Sequence, residues 1–320
     1  MSDAQRSARI WAIHDGHAGN ARQVLALARA LGEPAPFEPV LRPAAPWRWL
    51  APRRLPGAAH ALGGDFATAL RTPPALALGC GRQAALATRL ARARGAAAVQ
   101  ILDPRIDPRH WDQVIVPEHD GLRGGNVIPL LGSLNPVDDA WLEAGRRAFP
   151  EWGACPGPRI AVLVGGPTAR VPWDEADLRA DVEALLRLSQ QHGGTLMITP
   201  SRRTPPAATA WLRTVPARLW TGAPDEGPNP YAGLLGWADA VACTADSSNL
   251  LSEACSTRVP VWPLFARRAQ GRAAQLLAGL AARGRLSGLA DLLAGQPTVP
   301  LRETARVAAQ LAERLGWPAR

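Results

Sequence analysis

The chain has 320 residues, of which 47% are hydrophobic, and its formal net charge is +9 at pH 7. This length allows two compact domains of about 150 residues each, each with its own core. Because no segment reaches ~18 apolar residues without a charge or a proline, the sequence predicts no membrane-spanning helix. The N-terminus lacks the positive start and apolar stretch of a secretory signal, so we expect a cytoplasmic protein.

Every one of the 36 positive side chains is an arginine, since the sequence contains no lysine. Together with abundant alanine, glycine and proline, this bias is typical of a GC-rich bacterial genome. The arginines are scattered and lack interleaved aromatics, so we predict no nucleic-acid partner. Anionic small molecules and acidic lipid head groups both suit such a charge, and the second would place the protein peripherally at the inner face of the cell membrane. The four cysteines form no C-x-x-C pair, which indicates reduced packing residues rather than a metal site.

In the first half, short apolar runs that predict strands alternate with predicted helices. The predicted strands are 9–13, 75–78, 98–102, 114–116 and 127–131, and the predicted helices are 21–31 and 82–94. Helix 21–31 has apolar residues at three- and four-residue spacing, the pattern of one buried face. Residues 150–158 then carry three prolines and two glycines, which predicts an interdomain linker.

The alternation restarts after this segment. The predicted strands are 160–164, 195–199, 218–220, 240–243 and 259–262, and the predicted helices are 174–191, 206–213, 229–237, 249–256 and 303–315. We therefore predict an α/β fold of two Rossmann-like, doubly wound domains that face each other across a cleft. The N-terminal domain is expected to span 1–150 and the C-terminal domain 158–320, with a last helix that can pack back on the N-terminal domain.

Predicted strand 240–243 is followed by the sequence T-A-D-S-S-N-L-L-S-E-A at 244–254, which starts with a loop and continues into a predicted helix. A strand-to-helix loop offers backbone N–H groups and the positive end of a helix to an anion. The structural alternative is that Asp246, Ser247 or Ser248 caps the helix, but capping explains only one of the polar residues in this stretch. Glu253 lies outside the register of a capping box, because position 250 is leucine, and it shares a helix stripe with Asn249. We predict that the Glu253 carboxylate accepts hydrogen bonds from ribose hydroxyls.

Two further loops of the second half follow predicted strands. Gly165 and Gly166 allow a ligand to approach the backbone closely, although two glycines after a strand can equally form a turn. Arg202 and Arg203 can bind a diphosphate bidentately, with solvated surface arginines as the alternative. The sequence has no D-x-D triplet, so arginines and helix N-termini would neutralise a diphosphate without a metal.

The first half carries a comparable loop, with the sequence H-D-G-H-A-G-N at 14–20. It matches neither G-x-G-x-x-G nor a P-loop, which disfavours the usual dinucleotide-binding fold and P-loop enzymes. His14 and His17 are two of six histidines, and each is either a general base near neutral pH or a hydrogen-bonded structural residue. Polar residues also follow other predicted strands of this half, namely Arg82, Asp103, Arg105, His119 and Asp120.

Taken together, these loops resemble the elongated-mitochondria fission-factor family. The matching motifs are D-G-x-x-G-N-x-x-Q at 15–23, D-P-R at 103–105, H-D at 119–120, G-G-P at 165–167, S-R-R-T-P at 201–205, N-P-Y at 229–231 and A-D…T-x-D-S…S-E-A at 238–254. Plant members recruit a dynamin-like fission protein at the mitochondrial surface, and bacterial members are described as nucleotide-sugar enzyme candidates. The wider similarity is to GT-B glycosyltransferases, whose C-terminal domain binds the nucleotide sugar.

The resemblance implies roles for the matching residues. The catalytic candidates are His14, Asp15, His17 and Asp120. The nucleotide and diphosphate candidates are Gly165, Gly166, Ser201, Arg202, Arg203, Thr204, Asn229, Tyr231, Thr244, Asp246, Ser247, Ser248, Asn249 and Glu253. The acceptor side comprises Gly16, Gly19, Asn20, Gln23, Arg82, Asp103, Arg105 and His119. No cofactor or metal is expected, a nucleoside diphosphate sugar is the expected substrate, and the acceptor is expected to be lipid-linked or at a membrane surface.

Two classes of function remain open at this point. The first is an enzyme, either a metal-independent glycosyltransferase or a nucleotide-sugar epimerase on the same fold. The second is a non-catalytic adaptor of the fission-factor type, with an unidentified protein partner. A lysine-free, biased composition favours a bacterial source, where the mitochondrial role has no obvious counterpart, so the sequence favours the enzyme.

Overall fold

The structure is a computed structural model that describes residues 9–294 and 297–318. It divides into two compact units. Unit 1 contains the described residues up to Pro136 together with those from Glu303 onward, and unit 2 contains Val137–Arg302. In the described residues, no helix is long and apolar enough to cross a membrane.

Unit 1 is built on a five-stranded sheet of parallel strands. The strands are β1 (Ile10–His14), β2 (Leu76–Cys80), β3 (Ala97–Ile101), β4 (Gln113–Pro117) and β5 (Val127–Leu130), in the spatial order β1-β2-β3-β4-β5. Its helices up to Pro136 are α1 (Ala18–Ala30), α2 (Trp47–Leu50), α3 (Gly64–Ala69) and α4 (Arg82–Arg92), with 3-10 turns at Pro108–His110 and Glu118–Asp120.

The chain changes direction across the sheet of unit 1 between β1 and β2. After α1, Phe37 forms a parallel bridge with Trp11 on the outer side of β1, and the chain then crosses to β2 on the other side. Such a reversal leaves a crevice at the carboxyl ends of the two flanking strands, where doubly wound proteins bind ligands. The 14–20 loop and the loop at Gly81 begin at this point.

Alternation along β1 explains why unit 1 carries helices on both faces of its sheet. Ile10 and Ala12 pack into a core with α1, whereas Trp11 and Ile13 pack on the opposite face with α4. Successive side chains of a strand point to opposite faces, so a strand that is apolar at every position is buried on both. All four of these side chains are 0% exposed.

Unit 2 also contains a five-stranded parallel sheet. Its strands are β6 (Arg159–Val164), β7 (Thr195–Pro200), β8 (Arg218–Leu219), β9 (Ala240–Thr244) and β10 (Val261–Leu264), in the order β10-β9-β6-β7-β8. Its helices are α5 (Asp139–Ala148), α6 (Pro150–Gly153), α7 (Glu175–Gln191), α8 (Pro206–Leu212), α9 (Tyr231–Trp237), α10 (Ser248–Cys255) and α11 (Arg272–Ala282), with a 3-10 turn at Ala266–Arg268. This is the Rossmann strand order, and its switch point lies between β6 and β9.

The last helix, α12 (Glu303–Leu315), belongs to unit 1. Its buried Val307 and Leu311 extend the core around α1, and a Glu303 carboxylate oxygen accepts a hydrogen bond of 2.8 Å from the backbone N–H of Leu131. The sequence predicts this helix as the last element of the C-terminal domain, one that can pack on the N-terminal domain. In the structure it is an integral part of unit 1.

The boundary between the units lies near residue 136 rather than in the predicted linker 150–158. Residues 150–153 form α6, and α5 packs closely on α9 within unit 2. Glycine makes this contact possible, because a Cβ atom at Gly145 would lie 2.4 Å from the Ala232 carbonyl oxygen. The prolines and glycines of 150–158 therefore mark a turn between elements of one unit.

This close packing of α5 on α9 can be tested by a single substitution. Gly145→Ala is expected to lower the free energy of unfolding by about 1–3 kcal/mol, because the added methyl group forces the two helices apart. Gly64→Ala is the matched control, since a Cβ atom there meets nothing within 4 Å. Urea denaturation of both variants measures the difference, and equal stabilities would contradict the packing.

Candidate functional site

Three loops of unit 2 meet at the switch point of its sheet. They follow the carboxyl ends of β6, β7 and β9 and contain Gly165–Gly166, 201–204 and 245–247. The backbone N–H of Gly165 donates to Oγ1 of Thr244 at 2.8 Å, and that of Gly166 donates to Oδ2 of Asp246 at 3.1 Å. Two of the predicted loops, about 80 residues apart in the sequence, are therefore joined directly.

Thr204 joins the third loop to the first. Its side chain is buried, and Oγ1 lies 2.8 Å from the carbonyl oxygen of Val164 and 2.6 Å from that of Gly165. The same oxygen accepts a hydrogen bond of 2.9 Å from the backbone N–H of Ser201. Thr204 thus stabilises the conformation of the loop, and little of its side chain is accessible to a ligand.

A salt bridge between Arg203 and Asp246 lies at the centre of these loops. Nη2 of Arg203 is 2.7 Å from Oδ2 of Asp246, whose side chain is 0% exposed, whereas the Arg203 side chain is 49% exposed. A Cβ atom at Gly165 would lie 2.3 Å from Oδ2 of Asp246, and one at Gly166 would lie 2.2 Å from the Arg203 carbonyl oxygen. The two glycines are therefore needed for the loops to approach each other.

This arrangement leaves two features that suit an anionic ligand with hydroxyl groups. The guanidinium of Arg203 is held in place by a buried carboxylate while half of its side chain faces solvent, and exposed Arg202 lies beside it. Oδ1 of Asp246 is buried and has no hydrogen-bond partner within the described part of the chain. A buried acceptor of this kind is costly unless a donor satisfies it.

The N-terminus of α10 follows the Asp246 loop. Ser247 is the N-cap, and its hydroxyl accepts from the backbone N–H of Leu250 at 3.3 Å. Capping, the structural alternative for this loop, is therefore confirmed for Ser247. Ser248 and Asn249 form the first turn of the helix, where backbone N–H groups and the helix dipole favour an anion.

Glu253 lies on the buried side of α10 and is 1% exposed. Oε2 of Glu253 accepts a hydrogen bond of 2.5 Å from the Tyr231 hydroxyl. Tyr231 begins α9, and its backbone N–H donates to Oδ1 of Asn229 at 3.0 Å. The structure thus brings together Glu253, Tyr231 and Asn229, three of the residues predicted to bind the nucleotide. The contact of Glu253 with the ribose stays a prediction.

The cysteine nearest this site is not a nucleophile. Burial raises the pKa of the Cys243 thiol well above its usual value, and Cys255, Asp246 and Glu253 raise it further. The thiol therefore stays protonated near neutral pH. This agrees with the expectation of reduced packing cysteines.

Asp15 organises the loop at the switch point of unit 1. Oδ1 accepts from Nδ2 of Asn20 at 2.9 Å and from the backbone N–H of His17 at 3.3 Å. A Cβ atom at Gly81 would lie 2.3 Å from Oδ2 of Asp15, so the glycine after β2 makes room for the carboxylate. Gly16, with a φ of 86°, supplies the left-handed conformation that the turn requires.

The two histidines of this loop differ in their surroundings. Nδ1 of His14 accepts from the backbone N–H of Gly16 at 3.2 Å, so Nε2 carries the proton and donates to Glu38 at 3.1 Å. Both ring nitrogens of His14 are thus engaged, which matches the structural alternative. His17 is 80% exposed, and its Nδ1 lies 3.1 Å from Oδ1 of Asp15. An imidazole oriented by a carboxylate at one nitrogen has the geometry of a general base at the other.

The remaining residues predicted for the acceptor side and the catalytic candidate Asp120 lie on separate elements of unit 1. Asp103 and Arg105 pair with each other at 3.2 Å, and Arg82 donates to the backbone carbonyl of Arg48 at 3.1 Å. His119 and Asp120 lie in the 3-10 turn after β4, and Gly19, Asn20 and Gln23 lie in α1, with Gln23 buried.

Sequence reasoning missed Glu38, the partner of His14. It lies 24 residues further along the chain, and no local pattern connects the two residues. Within residues 9–294 and 297–318, no group of three or more His, Cys, Asp or Glu side chains could hold a metal ion.

Two Rossmann-like units with all-parallel sheets define a GT-B-like architecture. Two solved structures share this fold with a TM-score of 0.57 each. The UDP-GlcNAc 2-epimerase from Methanocaldococcus jannaschii is 13% identical, with 95% of this chain and 99% of that chain covered. The UDP-GlcNAc 2-epimerase from Neisseria meningitidis, solved bound to UDP-GlcNAc, is 12% identical, with coverage of 96% and 99%.

The chain belongs to the mitochondrial fission ELM1 family, whose model matches residues 18–315. The family resemblance of the sequence motifs is thereby confirmed. A protein of Arabidopsis thaliana named mitochondrial fission protein ELM1 is 29% identical over 285 residues. This match covers 77% of the present chain and 66% of the plant protein, so the chain spans slightly less than two thirds of its relative's length.

Proposed function

We propose that unit 2 binds the diphosphate of a nucleotide sugar at the loops after β6, β7 and β9, and that the protein is a metal-independent glycosyltransferase-like enzyme. The observation that carries this proposal is Arg203, whose side chain is half exposed and whose guanidinium is held by the buried carboxylate of Asp246 at the switch point. A rigidly held arginine loses less conformational entropy on binding a phosphate than a solvated one does.

The three loops of unit 2 contribute different groups to diphosphate binding. Arg202 and Arg203 bind the phosphate oxygens through charge-assisted hydrogen bonds. The first turn of α10 directs backbone N–H groups at the same anion, and Gly165 and Gly166 let the ligand approach the backbone. These groups replace the charge that a divalent metal would otherwise supply.

Glu253 and Tyr231 are proposed to recognise the ribose. A carboxylate has about four acceptor positions, so Glu253 can accept from a ribose hydroxyl in addition to the hydrogen bond that Oε2 accepts from Tyr231. The tyrosine then orients the carboxylate, so its hydrogen bond supports the ribose contact.

In a transfer reaction, the acceptor hydroxyl gives its proton to a general base, and its oxygen forms a bond to the anomeric carbon of the sugar. The bond from that carbon to the phosphate oxygen breaks, and the nucleoside diphosphate leaves with the electron pair, a charge that the arginines of unit 2 stabilise. Within unit 1, His17 has the geometry of a general base, because Asp15 at Nδ1 stabilises the imidazolium that forms when Nε2 takes a proton.

A nucleotide-sugar epimerase is the second candidate, because two solved structures that share this fold are UDP-GlcNAc 2-epimerases. The name of the Arabidopsis relative supports a third, a non-catalytic adaptor in the manner of a fission protein. Proton NMR of the purified protein with UDP-GlcNAc, in the presence of candidate acceptors that include a membrane lipid extract, separates the three. Release of UDP with sugar transfer supports the transferase, a new sugar epimer still linked to UDP supports the epimerase, and binding without any turnover supports the adaptor.

Metal-free binding is the first expected result of this proposal. UDP is expected to bind with the same affinity in the presence and absence of EDTA, and at about a hundred times its Kd to stabilise the fold by ~2.7 kcal/mol. Isothermal calorimetry measures the affinity and a thermal-shift assay the stability. Loss of binding on addition of the chelator would contradict the metal-free site.

A further inference from the structure

The segment 40–62 of unit 1, here called the 40–62 loop, is a compact excursion between Phe37 and α3. Its two ends are joined by backbone hydrogen bonds of 2.8 Å from Arg42 to Leu62 and from Ala44 to Ala61. Ala51, Ala58 and Leu62 lie in the core of unit 1. The loop is therefore a packed structure with a defined outer side.

Apolar side chains are displayed on that outer side. Of the four exposed large hydrophobic side chains in the described residues, three lie in this loop: Val40 at 62%, Trp49 at 64% and Leu55 at 38%. The one-turn helix α2 explains the position of Trp49, because Trp47 and Leu50 share its inner side, where Trp47 packs on the core. An indole exposed to this extent is unusual for a residue that is mostly buried in folded proteins.

Positive charge surrounds these apolar side chains. Residues 39–64 contain no aspartate or glutamate, and their four arginines, Arg42, Arg48, Arg53 and Arg54, are all exposed. Helix α4 adds Arg82 and Arg89, whose guanidinium groups donate to the carbonyl oxygens of Arg48 at 3.1 Å and Pro52 at 2.6 Å.

Two carboxylates lie close to the loop and leave this charge largely uncompensated. Asp65 is 3.8 Å from Arg42, but both side chains are more than 70% exposed, so solvent screens the pair. Glu38 accepts a hydrogen bond from His14, so Asp65 and Glu38 together supply two negative charges beside the six arginines. The surface therefore keeps an excess of positive charge next to an exposed tryptophan.

Exposed tryptophan, leucine and valine beside several arginines form a surface that suits the interface of an anionic bilayer. Indole rings favour the head-group level of a membrane, and each arginine near an anionic leaflet gains attraction to lipid phosphates. We infer that the 40–62 loop docks unit 1 on the surface of an anionic lipid bilayer, with Trp49 in the interface and the arginines at the phosphates. This binding is independent of the nucleotide site in unit 2.

Vesicle flotation of the full chain tests this inference. The wild-type protein is expected to float with vesicles that mix phosphatidylcholine and phosphatidylglycerol, and to stay behind with pure phosphatidylcholine. Replacing Arg53 and Arg54 together by glutamine is expected to weaken vesicle binding by about fivefold per arginine. Trp49→Ala is expected to weaken it several-fold, and raised salt should weaken the binding of the wild type.

Matched controls separate a docking surface from general charge attraction. Arg29→Gln with Arg123→Gln removes the same charge from exposed positions of unit 1 outside the loop, and Val299→Ala shortens a large hydrophobic side chain of unit 2 that is 84% exposed. Both controls should bind vesicles like the wild type. All of these variants change exposed residues, and circular dichroism melting checks that they are folded.

Three results would overturn the inference. The first is no flotation of the wild type with anionic vesicles. The second is an equal loss for the loop arginines and the control arginines, which would mean general charge attraction. The third is a wild-type protein that sediments as an oligomer and a Trp49→Ala variant that sediments as a monomer but floats unchanged, which would make the surface a protein interface.

Discussion

Arg203→Ala is expected to lower both the folding stability of unit 2 and its affinity for a nucleoside diphosphate. Without the guanidinium, the fully buried Asp246 carboxylate loses its charged partner, and the free energy of unfolding should fall by about 1–3 kcal/mol. The affinity for UDP should fall by roughly 1.5–3 kcal/mol through the lost charge-assisted bond, whereas the affinity for uridine should change little. Denaturant titration measures the first effect and calorimetry the second.

The neighbouring arginine provides the matched control. Arg202 is exposed and lies in the same loop, so Arg202→Ala should weaken UDP binding while the fold keeps its stability. A second substitution, Asp246→Asn, should restore much of the stability lost in Arg203→Ala, because it removes the buried charge that the arginine neutralises. If Arg203→Ala weakens uridine and UDP equally, the arginine acts only through the structure of the loop.

The second large effect is expected at Glu253. Glu253→Gln keeps an acceptor for the Tyr231 hydroxyl but removes the charge, so the affinity for a ribonucleotide should fall by about 1–2 kcal/mol with little change in folding stability. The 2′-deoxy nucleotide is the control ligand. It should bind the wild-type protein more weakly than the ribonucleotide, and the variant should narrow this difference. A large drop in Tm with an unchanged ratio of the two affinities would show that Glu253 serves only to hold α9 and α10 together.

These experiments test whether the loops of unit 2 bind a nucleoside diphosphate. The loops combine an arginine held by a buried carboxylate, a helix N-terminus and two glycines, which are features that suit an anionic ligand. If UDP binds but no sugar nucleotide is turned over, the site serves recognition, and the family name of the plant relative becomes the better guide to its role.

Much of the fold was predictable from the sequence because its signals are local. The runs of apolar residues at 160–164 and 195–199 correspond to β6 and β7, and the loops that follow them carry the glycines and arginines of the candidate site. A parallel sheet buried on both faces needs such apolar runs, and a strand-to-helix loop needs glycine or polar residues. The alternation and the motifs together predicted two Rossmann-like units and the family.

The sequence alone indicated the strands of both sheets and the loops that carry the candidate site residues, but it did not indicate helices α2, α3, α5, α6 and α11. The tertiary structure decided which of the candidate residues meet. β9 pairs with β6, so Asp246 reaches Gly166 and Arg203 across about 80 and 43 residues of sequence, a contact that no local pattern encodes. No local pattern encodes the contact of His14 with Glu38, which comes from another segment, or the packing of α12 into the core of unit 1. Propensity and periodicity act between neighbours in the chain, but strand order and side-chain partners depend on packing between distant segments.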